Sequence, residues 1–180
     1  ALGGVHNQMN ALAAIIAAQH GGVAVADACQ ALARFENVRR RMEVRAHVGT
    51  GAQAITVYDD FAHHPTAIQS TLEGLRARVG DSRIIAVIEP RSATMRLGMH
   101  KDRLGACVAA ADQVFWYQNP RIDWDIEAVA LGCAAPAKAT ADISSLLALT
   151  ISEVSEDTHI VIMSNGGFEG FHGQLIDSLP

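Results

Sequence analysis

Cysteine is scarce in this 180-residue chain: Cys29, Cys107 and Cys133 lie far apart and make no Cys-x-x-Cys pair. That pattern excludes a disulfide scaffold or a zinc ribbon and fits small buried apolar roles in a reducing compartment, so a cytoplasmic location is expected. Long apolar runs are missing as well. No stretch reaches the roughly 18 apolar residues of a membrane span, and no charged segment leads into a short apolar one as in a signal peptide. Cations are not in excess. With a net charge of -5 the chain has no general means of holding nucleic acid or an anionic membrane, so an anionic ligand must be met locally. No Gly-x-x-x-x-Gly-Lys-Ser/Thr loop is present to cradle a triphosphate with magnesium, and no Gly-x-Gly-x-x-Gly follows a first strand. No serine or cysteine stands in a recognisable order with a base and an orienting carboxylate.

What is present is an apolar content of 49%, enough for a well-packed globular unit, with room for one domain or one domain plus part of another. The chain starts at Ala1-Leu2-Gly3-Gly4-Val5 without an initiator Met and runs at once into a helix, from which a piece of a longer protein is expected. That helix is apolar almost all round and is expected to pack tightly on its neighbours. Gly21-Gly22 ends it, and a second helix covers about Val23 to Phe35. The period then changes. Arg41 to Val48 and Gln53 to Tyr58 alternate as strands around the turn-prone Gly49-Thr50-Gly51, which predicts a β-hairpin.

Helices and strands follow one another from there. A helix is predicted from Pro65 to about Val79, a strand over Arg83 to Glu89, a helix from about Lys101 to Ala111 and a strand over Gln113 to Tyr117. A loop with a short strand is predicted over Ala134 to Ala141, a helix around Ile143 to Glu153, a strand over Thr158 to Met163, and a last short helix near Phe171 to Leu179. Strands apolar on both faces, alternating with helices, imply an α/β fold: a mostly parallel sheet covered on both sides. The change of period near Arg34 to Arg40 is the expected domain boundary.

Tyr58-Asp59-Asp60-Phe61-Ala62-His63-His64-Pro65-Thr66 is the densest polar cluster, set where a strand gives way to a helix. Pro65 suits a first helical position, and Ile68, Leu72 and Leu75 continue at helical spacing. Ligands of open α/β sheets bind beyond the carboxyl ends of strands, which makes this loop a site candidate. The adjacent His63 and His64 point in different directions, unlike zinc ligands at helical or paired spacing, and no metal site is expected from them. Glu89-Pro90-Arg91-Ser92 is the second loop of this kind, where Arg91 offers a planar fork of donors to a carboxylate or phosphate. Ser164-Asn165-Gly166-Gly167-Phe168 is the third, with glycines that let backbone amides approach an oxygen closely.

Three segments in order, Gly4-Val5-His6-Asn7-Gln8-Met9-Asn10-Ala11-Leu12, Phe35-Glu36-Asn37-Val38-Arg39-Arg40-Arg41 and Asp59-Asp60-Phe61-Ala62-His63-His64-Pro65-Thr66, are similar to motifs of the Mur ligases of peptidoglycan synthesis. Glu89-Pro90-Arg91-Ser92 and Met163-Ser164-Asn165-Gly166-Gly167-Phe168 resemble the branch of that family that works in peptidoglycan recycling. The resemblance implies that residues 1–36 are the last helices of a central ATPase domain and residues 37–180 a Rossmann-like carboxy-terminal domain. It further implies an ATP-dependent amide-bond-forming ligase that joins the tripeptide L-Ala-γ-D-Glu-meso-diaminopimelate to UDP-N-acetylmuramate through an acyl phosphate. The P-loop and the Mg2+ ligands would lie outside these residues, leaving the 180-residue piece inactive alone. By the resemblance, Asn7 and Asn10 approach the adenine, Arg41 and His63 face the phosphates and Asp60 takes the ribose hydroxyls. His64, Arg91, Ser92, Ser164 and Asn165 seat the substrate, with no side chain acting as a general base. A ligase that adds L-alanine to UDP-N-acetylmuramate, and a nucleotide-binding module without catalysis, are the alternatives. Glu169 departs from the family pattern, where a smaller residue would be unsurprising.

Overall fold

The computed structural model describes residues 4–36 and 38–180. Residues 1–3 and Asn37, the expected boundary residue, lie outside them. Two helices come first, α1 (Val5–His20) and α2 (Val25–Ala33), packed on each other. The sheet unit then runs β1 (Glu43–Val48), β2 (Ile55–Asp60), α3 (Pro65–Val79), β3 (Arg83–Ile88), α4 (Ala93–Arg96), α5 (Lys101–Leu104), β4 (Gln113–Tyr117), α6 (Ile126–Leu131), β5 (Ala137–Thr140), α7 (Ile143–Ser152), β6 (Thr158–Met163) and α8 (Phe171–Ser178).

The six strands lie in the order β1-β2-β6-β3-β4-β5, with β1 antiparallel to β2 and the other neighbours parallel. From β2 the chain passes over one position to β3, builds outward through β4 and β5, and returns with β6 into the gap. Alternation along the central strands divides the core into two layers. Ile84, Ala86 and Ile88 of β3 pack with Ile68, Leu72 and Leu75 of α3 on one face. Ile85 and Val87 join Leu146 of α7 and Phe171 and Leu175 of α8 on the other. Period-two strands buried on both faces are what a doubly covered parallel sheet requires.

Two expectations need correction. The helix foreseen from Lys101 to Ala111 is α5 followed by a separate 3₁₀ turn, Ala106–Val108. Gly105 stands between the two, and its carbonyl accepts from Ala134 N (3.0 Å). Helix α1 is not tightly packed. Val5, Met9, Leu12 and Ile16, spaced so as to share a face, are 73%, 60%, 49% and 56% exposed. Among the described residues α1 packs on α2, and Gly4 just before it approaches Gly74 of α3 (3.7 Å from where a Cβ at Gly74 would stand).

Candidate functional site

Strand order brings the three polar loops together, because β2, β6 and β3 are consecutive neighbours whose carboxyl ends lie at one edge. Their hydrogen bonding continues past the strands: Ser164 N donates to Asp60 O (3.1 Å), and Glu89 N donates to Met163 O (2.9 Å). This edge is also where the strand order reverses, the usual place for a ligand crevice.

The first loop is fixed by Asp60. Its side chain is 2% exposed, and Oδ2 accepts from Met42 N (2.9 Å) while Oδ1 accepts from Ala62 N (2.8 Å) and Thr71 Oγ1 (3.4 Å). Burial pushes its carboxyl above the usual range, and the two amide bonds offset this only in part. An Asp60 that offers its oxygens to a ribose is therefore not what this arrangement provides. The carboxylate closes the turn that carries His63. There Nδ1 pairs with Phe61 O (2.8 Å), which leaves Nε2 for a ligand. His64 turns the other way, its Nδ1 accepting from Thr66 N (3.3 Å) to cap α3, and its ring meets that of His100 edge-on at 4.3 Å. Burial first, then the nearby His100, Arg103 and His63, lower the His64 pKa.

Asp59 points to the opposite side of β2 from Asp60's bonding network and is 3% exposed. Arg40 Nε lies 3.2 Å from it, Arg45 Nη1 3.4 Å, and His172 Nε2 of α8 3.2 Å, the last not aligned for a hydrogen bond. Burial alone would raise its pKa, but His172 and then Arg40 outweigh burial and hold it below the usual value. Arg40 does more than neutralise Asp59. With a left-handed φ of 57° it turns its guanidinium inward, donating from Nη2 to Ser164 O (2.5 Å) and Gly166 O (3.0 Å), while its own carbonyl accepts from Phe61 N (2.7 Å). The Phe61 ring sits against both Arg40 (5.3 Å) and the exposed Arg41 (5.7 Å). Of three consecutive arginines, Arg40 ties the loops together and Arg41 remains at the surface.

Ser164 is fully buried, with Oγ donating to Glu89 Oε2 (2.5 Å) and accepting from Gly166 N (2.9 Å). The hydroxyl expected to touch substrate is thus spent inside the loop. Glu89, 1% exposed, takes a second bond from Asn119 Nδ2 (2.8 Å) and so joins the ends of β3, β4 and β6. Ser92 caps α4, accepting from Met95 N (3.4 Å) and donating to His63 O (3.3 Å).

Two expected residues do keep free groups. Arg91 is half-buried and has no hydrogen bond or ion pair among the described residues. Its guanidinium lies against Gly166 in the space a Cβ would fill. Asn165 Oδ1 is buried and has no hydrogen-bond partner among the described residues. Asn7 and Asn10 stand one turn apart on α1, and nothing among the described residues joins Asn10 to the three loops. Glu169, the departure from pattern, has a local explanation: its Oε1 accepts from the Tyr117 hydroxyl (2.7 Å), and burial followed by this bond pushes the phenol pKa upward. Among the described residues no group of three or more His, Cys, Asp and Glu side chains converges as metal ligands would.

Sequence reasoning gave no role to the Arg40 and Glu89 side chains and read Gly166 only as letting backbone amides approach an oxygen. An acid ending an otherwise apolar strand was a readable signal for Glu89. Nothing in Arg39-Arg40-Arg41 distinguishes the middle residue, because the distinction lies in its backbone conformation.

Residues 40–166 match the family model described as "Mur ligase, glutamate ligase domain". Two ligases named for UDP-N-acetylmuramate and L-alanyl-gamma-D-glutamyl-meso-2,6-diaminoheptandioate, from Escherichia coli K12 and Haemophilus influenzae Rd, are 49% and 46% identical over 177 residues. The match covers 98% of this chain and 38% of each relative, so the chain spans less than half the length of these proteins. A solved murein peptide ligase from Psychrobacter arcticus 273-4 superimposes with a TM-score of 0.73 at 39% identity, over 97% of this chain and 37% of that one. Together with the parallel sheet and its three converging loops, these matches show that the chain belongs to the Mur ligase family.

Proposed function

We propose that this chain is the carboxy-terminal part of an ATP-dependent ligase that joins L-Ala-γ-D-Glu-meso-diaminopimelate to UDP-N-acetylmuramate. The observation that carries the reading is the pair of unsatisfied groups at the crevice: the Arg91 guanidinium and the buried Asn165 Oδ1. A peptide ending in a diamino acid brings carboxylates for a planar cation and an ammonium for a buried acceptor. Free L-alanine brings a single carboxylate next to the bond being formed, and its one amine is the nucleophile.

ATP fits the other side of the edge. Arg41 and the outward nitrogen of His63 are the chain's own groups for phosphate oxygens, and bound ATP would supply the phosphoryl group that activates the carboxylate of UDP-N-acetylmuramate for attack by the tripeptide amine. Asp60 acts here by holding the loop that presents His63. Mg2+ and the triphosphate cradle are assigned to the part of the longer protein outside this chain. The role left to these residues is to position the amine and screen charge, and not to act as a base.

The test is Arg91→Ala in the full-length protein. It should raise KM for the tripeptide by about 1.5–3 kcal/mol equivalent in kcat/KM, the range for a lost charged hydrogen bond, with the KM for ATP unchanged. Wild-type peptide kinetics in that variant would remove Arg91 from the acceptor site.

A further inference from the structure

Gly166 is held from two directions. Below, Arg40 donates to its carbonyl and to that of Ser164, while its amide donates to Ser164 Oγ. Above, the Arg91 guanidinium occupies the position a β-carbon would take, with its nitrogens and central carbon closer than any real contact would allow. Backbone conformation does not demand glycine here, because the φ of Gly166 lies outside the left-handed region where Gly170 sits at 77°. A Cβ here would meet only the far end of the Arg91 side chain, so what the glycine preserves is the place of that guanidinium.

We infer that Gly166, clamped by Arg40, is the positioning residue that sets the Arg91 guanidinium at the mouth of the acceptor crevice. The inference rests on the reading of Arg91 as an acceptor-binding group, and it adds why that group stands where it does. A planar cation lying flat on a bare backbone presents its edge outward, towards a carboxylate. An added methyl group removes the surface it lies on. The neighbouring layers cannot yield, because Arg40 ties the carbonyl on the other side to Asp59, and Asp59 is itself buried. Arg40 belongs to the segment that leads from α2 into the sheet, so the same clamp links that connection to the acceptor loop.

The test is a double-mutant cycle in the full-length enzyme. Gly166→Ala should raise the tripeptide KM roughly tenfold to a hundredfold, as a misplaced binding group does, while KM for ATP and for UDP-N-acetylmuramate stay at wild-type values. Combined with Arg91→Ala it should cost no more than Arg91→Ala alone, because both act through one guanidinium. Arg40→Lys, which keeps the charge but cannot reach Asp59 and both carbonyls together, should shift the peptide KM the same way. Additive losses in the double variant, or wild-type peptide KM in Gly166→Ala beside a defective Arg91→Ala, would overturn the inference. If Arg91→Ala proves silent, the substrate reading fails on its own. The crystal structure of Gly166→Ala then decides the positioning claim: a displaced Arg91 supports it and an unmoved one refutes it.

Discussion

Buried carboxylates at the edge of this sheet do structural work, and that changes what their substitution should do. Asp60 receives two backbone amides and one hydroxyl at a site almost closed to water. Replacing it with alanine strands those donors, and Asp60→Ala is expected to destabilise the fold by about 2–4 kcal/mol in a denaturant titration. An unchanged unfolding midpoint would contradict this. Its neighbour answers to pH. The Asp59 pKa is lowered in the folded chain, so its contribution is present above the ordinary aspartate value of 3.8 and is lost as pH falls below that through the folded value. Asp59→Asn should therefore flatten the acid arm of the stability curve below about pH 4. A variant curve parallel to the wild type throughout would show that Arg40, Arg45 and His172 do not hold the carboxylate as described. Residue types alone made the Asp59-to-Thr66 cluster legible as a site. Which oxygens face inward could not be read, because it depends on Met42 and Thr71 arriving from other elements.

At the level of elements, capping accounts for where α3 starts. Pro65 fills the first turn and the His64 imidazole accepts from Thr66 N. Protonation converts that acceptor into a donor and breaks the cap. Because the folded chain lowers the His64 pKa, the neutral form is favoured, and stability falls as pH drops below the ordinary histidine value of 6.5. His64→Asn, which can cap at any pH, should remove that slope, while His64→Ala should lose about 1 kcal/mol above it. A slope that persists in His64→Asn would place the titration elsewhere. Strands and long helices were legible from period and turn residues: β3, β4 and β6 run apolar after one or two polar leading residues, and Gly49-Thr50-Gly51 announces the hairpin. Short elements were not. Helix α6 has six residues, too few for a helical period to show, and its start depends on Asp125 accepting from Glu127 N and Ala128 N. Helix α1 shows the opposite failure. Its apolar residues predicted burial, but among the described residues the stripe of Val5, Met9, Leu12 and Ile16 is exposed.

On the scale of the whole molecule, a doubly wound sheet whose last strand fills the gap between β2 and β3 sets three loops side by side. That placement gathers motifs more than 100 residues apart, as in the bond from Arg40 to Ser164 O. We propose a nucleotide side at Arg41 and His63 and an acceptor side at Arg91 and Asn165, the acceptor being a peptide that carries a charged diamino acid terminus. The most direct measurement gives the full-length enzyme ATP, UDP-N-acetylmuramate and equal concentrations of L-Ala-γ-D-Glu-meso-diaminopimelate and L-alanine, and identifies the products by mass. The tripeptide adduct should dominate, with ADP released in step with it; equal or greater formation of the L-alanine adduct would contradict the peptide assignment and leave the fold as described.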